Sequence, residues 1–271
     1  MSASSPPLIL SPEQLEKSLG KEPWLIIDLS KPDLYRQSHV PGAVPLDYVQ
    51  LVTARPPVMG LLPESDALSA LFSRLGLTPD THVVAYDDEG GGRAARLLWT
   101  LDVAGHRHRS LLDGGRQAWL AEGRPVRSGQ ESRPASDYRV TDQSAARAEL
   151  AYIQAHLQDP GVVLMDARSP LEYSGQKRLA ERGGHIPGAL NFDWITAMDL
   201  QNNLRLKPAE ELRHALTQRG ITPDKEVIVY CQTHHRSAHT YIVLKSLGYT
   251  QVKGYPGSWS EWGNRRDTPI E

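Results

Sequence analysis

The chain has one cysteine in 271 residues. A lone cysteine cannot close an intramolecular disulfide, and it cannot build a thiolate zinc site. Neither charge sign is in surplus, with 30 Lys and Arg against 32 Asp and Glu. That balance gives no bulk attraction to nucleic acid or to an anionic membrane surface. Long apolar runs are missing too. The longest, such as residues 227–230, fall far short of a bilayer span. The opening MSASSPPLILSPEQ has neither a basic region nor an apolar core, so no signal peptide is expected. Without disulfides or a targeting segment, the expected setting is the reducing cytoplasm. Hydrophobic residues at 39% and charged residues at 23% exclude a largely disordered or collagen-like chain. The length suits one large domain or two ordinary ones.

What the chain does contain is itself, twice. LGLTPDTHVVAYD (75–87) and RGITPDKEVIVYC (219–231) share Gly76/Gly220, Thr78/Thr222, Pro79/Pro223, Asp80/Asp224, Val83/Val227 and Tyr86/Tyr230. Upstream, HVPGA from His39 matches HIPGA from His185, and Asp28 pairs with Asp166. Near each end, Gly114 and Trp119 parallel Gly257 and Trp262. The four blocks keep one order, which reads as domain duplication rather than chance. The expected division is a domain over 8–126, a polar linker over 127–146 and a second domain over 147–271.

Residues 25–29, 82–86, 162–165 and 226–230 read as buried strands, near-continuous in Val, Ile and Leu. Helical patterns cover 210–219, stopped by Gly220, and 237–247, stopped by Gly248. Such alternation predicts an α/β fold, with a parallel sheet flanked by helices in each domain.

The cysteine, Cys231, ends one of these strands and precedes a helix, which is where parallel α/β sheets place their active sites. The loop reads Cys231, Gln232, Thr233, His234, His235, Arg236, Ser237. Curling N–H groups, a helix N-terminus and Arg236 should all favour a thiolate, the nucleophilic form. The bland alternative is a small buried hydrophobe. Five polar residues between the thiol and the helix argue against it. His234 and His235 suggest metal ligands, but no third ligand stands at useful spacing.

These blocks, in this order and across essentially the whole chain, resemble the tandem-domain rhodaneses. The resemblance implies two homologous domains, with catalysis by Cys231 in the second. Asp87 takes the place of the cysteine in the first. It implies sulfur transfer by a ping-pong route. The thiolate takes sulfane sulfur from thiosulfate and holds it as a persulfide, and cyanide or another thiophile removes it. Neither metal nor organic cofactor is needed. The partners implied are a small-molecule donor and acceptor, with a sulfur-accepting protein as an alternative, and neither nucleic acid nor membrane. The loop departs from family patterns. Mercaptopyruvate-using members keep small Gly and Ser residues beside the cysteine. Many tandem members place a donor-binding arginine where Glu172 stands here. Arg236 is therefore the leading substrate-binding candidate, with Arg168, Arg178 and Arg182 as weaker ones.

A phosphatase of the same fold needs five residues between its cysteine and arginine, and Cys231 and Arg236 have four between them. A persulfide carrier serving a protein partner would use the same thiol. An inactive regulatory module fits the first domain only. Its loop from Asp87 to Arg93 reads as one grown slack after losing its function.

Overall fold

A computed structural model describes residues 6–141 and 144–271. It divides into two compact units. The first comprises the described residues of Met1–Leu51, Pro63–Asp142 and Asp199–Leu206. The second comprises those of Val52–Leu62, Gln143–Met198 and Lys207–Glu271. Each unit thus takes in one short segment from the opposite half of the sequence.

In the first unit, five parallel strands run in the order Ile9–Leu10, Arg109–Leu112, Val83–Tyr86, Leu25–Asp28, Val44–Pro45. In the second, the order is Val252–Gly254, Glu226–Tyr230, Val162–Asp166, Leu190–Asn191, again all parallel. The central pairs match residue for residue. Asp28 lies opposite Tyr86, and Asp166 opposite Tyr230. Both faces of these strands are covered, which explains their continuous apolar sequence.

The duplicated blocks do the same physical work in both units. Tyr35 stacks on His39 at 4.1 Å and Tyr173 on His185 at 3.6 Å, and each tyrosine hydroxyl donates to the carbonyl of the block's alanine. Tyr86 and Tyr230 accept the N–H of Val40 and Ile186 through their hydroxyls. Trp119 and Trp262 are buried and donate Nε1–H to Pro125 and Pro269 carbonyls, at 2.8 and 2.7 Å. A buried indole satisfies its one donor this way while adding a large apolar area; truncation to alanine typically costs ~3–5 kcal/mol. In the second unit, Trp259, Trp262 and Tyr255 pack with Leu164, Ile186 and Ile228 into the core beneath the sheet end.

The helix after Cys231 spans Arg236–Ser246, starting one residue before the 237–247 read from periodicity. Its residues from Ser237 to Leu244 are all buried, so its hydrophobic period is weak. Ala209–Thr217 is the other expected helix, and Gly220 and Gly248 end these patterns with φ of +76° and +92°. The described part of the 127–146 segment is tied down. Arg127 exchanges backbone hydrogen bonds with His39, and Tyr138 is buried against Phe72. Positions 142 and 143 lie outside the described residues.

Candidate active site

Cys231 leaves the end of strand Glu226–Tyr230 with 1% of its surface exposed. Its loop is built around Ser258. That hydroxyl donates to the Tyr255 carbonyl at 2.8 Å and accepts the N–H of Cys231 at 3.3 Å and of His234 at 3.1 Å. Ser258 and His234 both sit in the left-handed region, at φ +49° and +52°. Side chains rarely accept that backbone; the shared hydrogen bonds over-determine it here. Trp259 N–H donates to the Cys231 carbonyl and Ser260 N–H to that of Gln232, both at 2.9 Å. The carbonyls of the loop start are thereby turned outward, and the Thr233 and Ser237 N–H groups are left facing the sulfur.

Burial pushes the thiol pKa up. The charge of Arg236, the Ser237 hydroxyl and N–H, and the Thr233 N–H outweigh it, and the thiol lies below its ordinary range. His234 Nδ1 meets Ser237 Oγ at 2.7 Å. With Nδ1–H donating, the hydroxyl proton is left to turn to the sulfur, which assigns the His234 tautomer.

Arg236 donates to both oxygens of Glu172, at 2.7 and 2.8 Å. Glu172 is 2% exposed, and burial raises its pKa, but the guanidinium overrides this and holds the carboxyl at about 2. Ser169 completes the cradle by donating its hydroxyl to Glu172 at 2.8 Å. Trp194 covers the next turn of the helix, 6.1 Å from the His235 ring and 5.3 Å from His239. His239 is fully buried, without a hydrogen-bond partner, and burial together with nearby His235 depresses its pKa to about 4. It is neutral near pH ~7. Gln232 Nε2–H donates to the Leu179 carbonyl at 3.0 Å.

Three sequence candidates are engaged elsewhere, and none hydrogen-bonds to the Cys231 loop. Arg168 is buried, clamped by Asp166, bonded to the Gly184 carbonyl at 2.7 Å and stacked 4.5 Å from Trp259. Arg182 donates to the carbonyls of Thr268 and Trp262, at 2.9 and 3.0 Å. Arg178 is exposed and donates to the Glu181 carbonyl. Sequence reasoning missed Ser258 and Trp194, and it missed that Glu172 faces Arg236. Ser258 lies within the repeated Gly257–Trp262 block, but nothing local announces its backbone angle. Among the described residues, no three His, Cys, Asp or Glu side chains converge as a metal site. A cavity of about 510 Å³ lies in the first unit, lined by Tyr35, Leu46, Tyr48 and Arg93 among others. The chemistry follows the perturbed thiol rather than that volume.

The first unit's loop is ordered rather than slack. Asp87 accepts the N–H of Glu89 and Gly91 on one oxygen, at 3.0 and 2.8 Å, and that of Ala94 on the other, at 2.9 Å. Gly90 and Gly91, at φ +92° and +98°, let the chain curl around the carboxylate. The anion nest is filled by the chain's own side chain.

Comparison with known proteins agrees with this geometry. The family profile described as "Rhodanese-like domain" matches residues 11–122 and 149–265. A "Thiosulfate sulfurtransferase" of Pseudomonas aeruginosa is 44% identical over 265 residues, covering 98% of this chain and 97% of the relative. The protein of the same description from Azotobacter vinelandii is 43% identical, covering 99% and 98%. A "Sulfur carrier protein TtuD" of Thermus thermophilus is 36% identical, covering 100% and 98%. Among solved structures, YnjE superposes with a TM-score of 0.86 at 23% identity, covering 97% of this chain and 68% of that one. It speaks for the fold alone.

Proposed function

This chain belongs to the rhodanese family, and from that premise we propose that it is a thiosulfate sulfurtransferase working through Cys231. The thiolate attacks the sulfane sulfur of thiosulfate. A Cys–S bond to that sulfur forms as its bond to the sulfonate breaks, and sulfite leaves with the electron pair. The terminal sulfur then carries the negative charge. Cyanide or another thiophile attacks it and departs with the sulfur, regenerating the thiolate. Charge balances at each step, and no redox partner is called for. The proposed division of labour is a catalytic half over 147–271 and a non-catalytic half over 8–126, joined by 127–146. A lone cysteine outside any disulfide supports a reducing, cytoplasmic setting.

The observation that carries the proposal is the buried Cys231 at a strand end, in a loop that is pinned by Ser258 and leads into the helix that opens on Arg236. A persulfide anion has the same demand for donors as a thiolate, so one loop can serve both states. The loop residues Gln232, Thr233, His234, His235 and Ser237 shape this cup, and Arg236 supplies its charge. Mass spectrometry of the purified chain after thiosulfate treatment tests it. A gain of one sulfur atom on the Cys231 peptide is expected; an unmodified peptide removes the proposal. The similarity to a sulfur carrier favours a second reading, in which the persulfide passes to a protein. Transfer to acceptor proteins against transfer to small thiophiles separates the two.

A further inference from the structure

The sulfur cup depends on one peptide unit, that between Gln232 and Thr233. Its carbonyl accepts Ser260 N–H at 2.9 Å, and its N–H faces the Cys231 sulfur. Of two contacts from the segment Val52–Leu62, part of the same compact unit, one reaches Ser260, which holds this peptide, and the other meets Thr233 itself. The segment is an antiparallel hairpin of Thr53–Arg55 and Val58–Leu61. Met59 N–H donates to Ser260 Oγ at 3.1 Å, and the Met59 carbonyl lies 3.0 Å from the same hydroxyl. Ser260 therefore grips the hairpin with its side chain and Gln232 with its backbone. Next to Met59, Gly60 lies flush against Thr233. A Cβ at position 60 would fall on the Thr233 carbonyl oxygen, 2.8 Å from its Cβ and 2.9 Å from its carbonyl carbon. Most of that obstacle is backbone, which cannot swing aside as a long side chain can.

We propose that Gly60 is a positioning residue for sulfur transfer, its bare backbone serving as the stop against which Thr233 is seated so that the Gln232–Thr233 peptide presents its N–H to the sulfur. The proposal deepens the reading of Cys231 as the sulfur-bearing nucleophile and rests on it. Gly60 touches no reacting atom. It acts through Thr233, and Ser260 keeps the hairpin in place.

The test is a thiolate titration of the full-length chain by ultraviolet absorbance, with Cys231→Ser as the blank. A single cysteine makes the signal unambiguous. In Gly60→Ala, displacement of Thr233 withdraws a donor from the thiolate. The Cys231 pKa should rise by about one unit, and the pH profile of sulfur loading should move up by the same amount. Any non-glycine residue at the Gly60 φ of +78° is also strained. Gly220→Ala isolates that effect, since Gly220 has φ +76° with nothing within 4 Å of its virtual Cβ. It should lose stability and keep the wild-type titration. Ser260→Ala should shift the titration upward by a smaller amount, and it decides the matter if Gly60→Ala does not fold. A wild-type titration in Gly60→Ala, an equal shift in Gly220→Ala, or an unmoved Ser260→Ala overturns the proposal. The titration needs no sulfur donor. Wild-type chain that titrates low yet takes no sulfur from thiosulfate would sink the sulfur-transfer reading and leave the positioning role standing.

Discussion

Glu172 meets Arg236 in a two-point ion pair of 2.7 and 2.8 Å. The cation beside Cys231 is therefore half neutralised at rest, and it is fixed in direction. Glu172 thus holds the loop cation in place while offsetting part of its charge. Arg236→Leu removes the charge that lowers the thiol pKa and strands a carboxylate with 3% of its side chain exposed. A loss of roughly 3 kcal/mol in chemical denaturation is expected. The double variant Glu172→Gln, Arg236→Leu should recover most of that stability but not the low thiol pKa. Additive losses in the cycle would show that the pair is not coupled.

Freeing the guanidinium gives the opposite outcome. Glu172→Gln should speed the reaction of Cys231 with thiosulfate several-fold at low salt, and the gain should fade at ~0.5 M salt as screening shortens the field. A neutral alkylating reagent, compared at matched thiolate fraction, should show little change. Equal acceleration of charged and neutral reagents would point to loosened structure instead.

Acid should weaken the protein in two windows. His239, and His82 in the first unit, have pKa values depressed to about 4, mainly by burial. The unfolded chain binds those protons near ~6.5, so stability is full above that pH and falls toward about 4. Glu172 titrates at about 2 in the folded chain, so its contribution is full above ~4.3 and is lost below that. Urea midpoints measured against pH should show both declines. His239→Leu should shrink the first decline, leaving the share of His82, and should not touch the second.

Cys231→Ser should abolish sulfur transfer, since no second thiol can substitute. Asp87→Ala should keep most of the activity. It leaves two buried N–H groups and one half-buried one without their acceptor, and should cost about 1–3 kcal/mol in thermal or chemical unfolding. A folded Asp87→Ala with no activity would give the first half a chemical role.

Thiosulfate should exceed 3-mercaptopyruvate in kcat/KM with cyanide as common acceptor. Gln232, Thr233, His234 and His235 are all larger than the small residues that would leave room for a carbon chain, whereas a compact dianion needs only the loop donors and Arg236. A higher value for mercaptopyruvate would reverse the donor and leave the role of Cys231 untouched.

The repeated blocks made the α/β architecture legible, because buried parallel strands write themselves as apolar runs and tight turns as Gly and Pro. The place of Cys231 between a strand and a helix was legible for the same reason. Partners brought together by the fold left no local signal. Glu172 and Arg236 are 64 residues apart, and Met59 and Ser260 are 201 apart. Arg168 and Arg182 looked available in sequence, but folding commits both to internal acceptors. Nor could a loop rich in glycine be recognised as ordered before its own aspartate was seen inside it.

Asp87 can be regarded as a ligand attached to its own receptor. A tethered carboxyl occupies its site at a local concentration that no solute matches, so the order of that loop does not wait on an added ligand. The loop of Cys231 has no such tether and must receive its charge as thiolate, persulfide or bound substrate. By linkage, anions such as thiosulfate and sulfite should raise the melting temperature of the second unit as their concentration rises, and that of the first hardly at all.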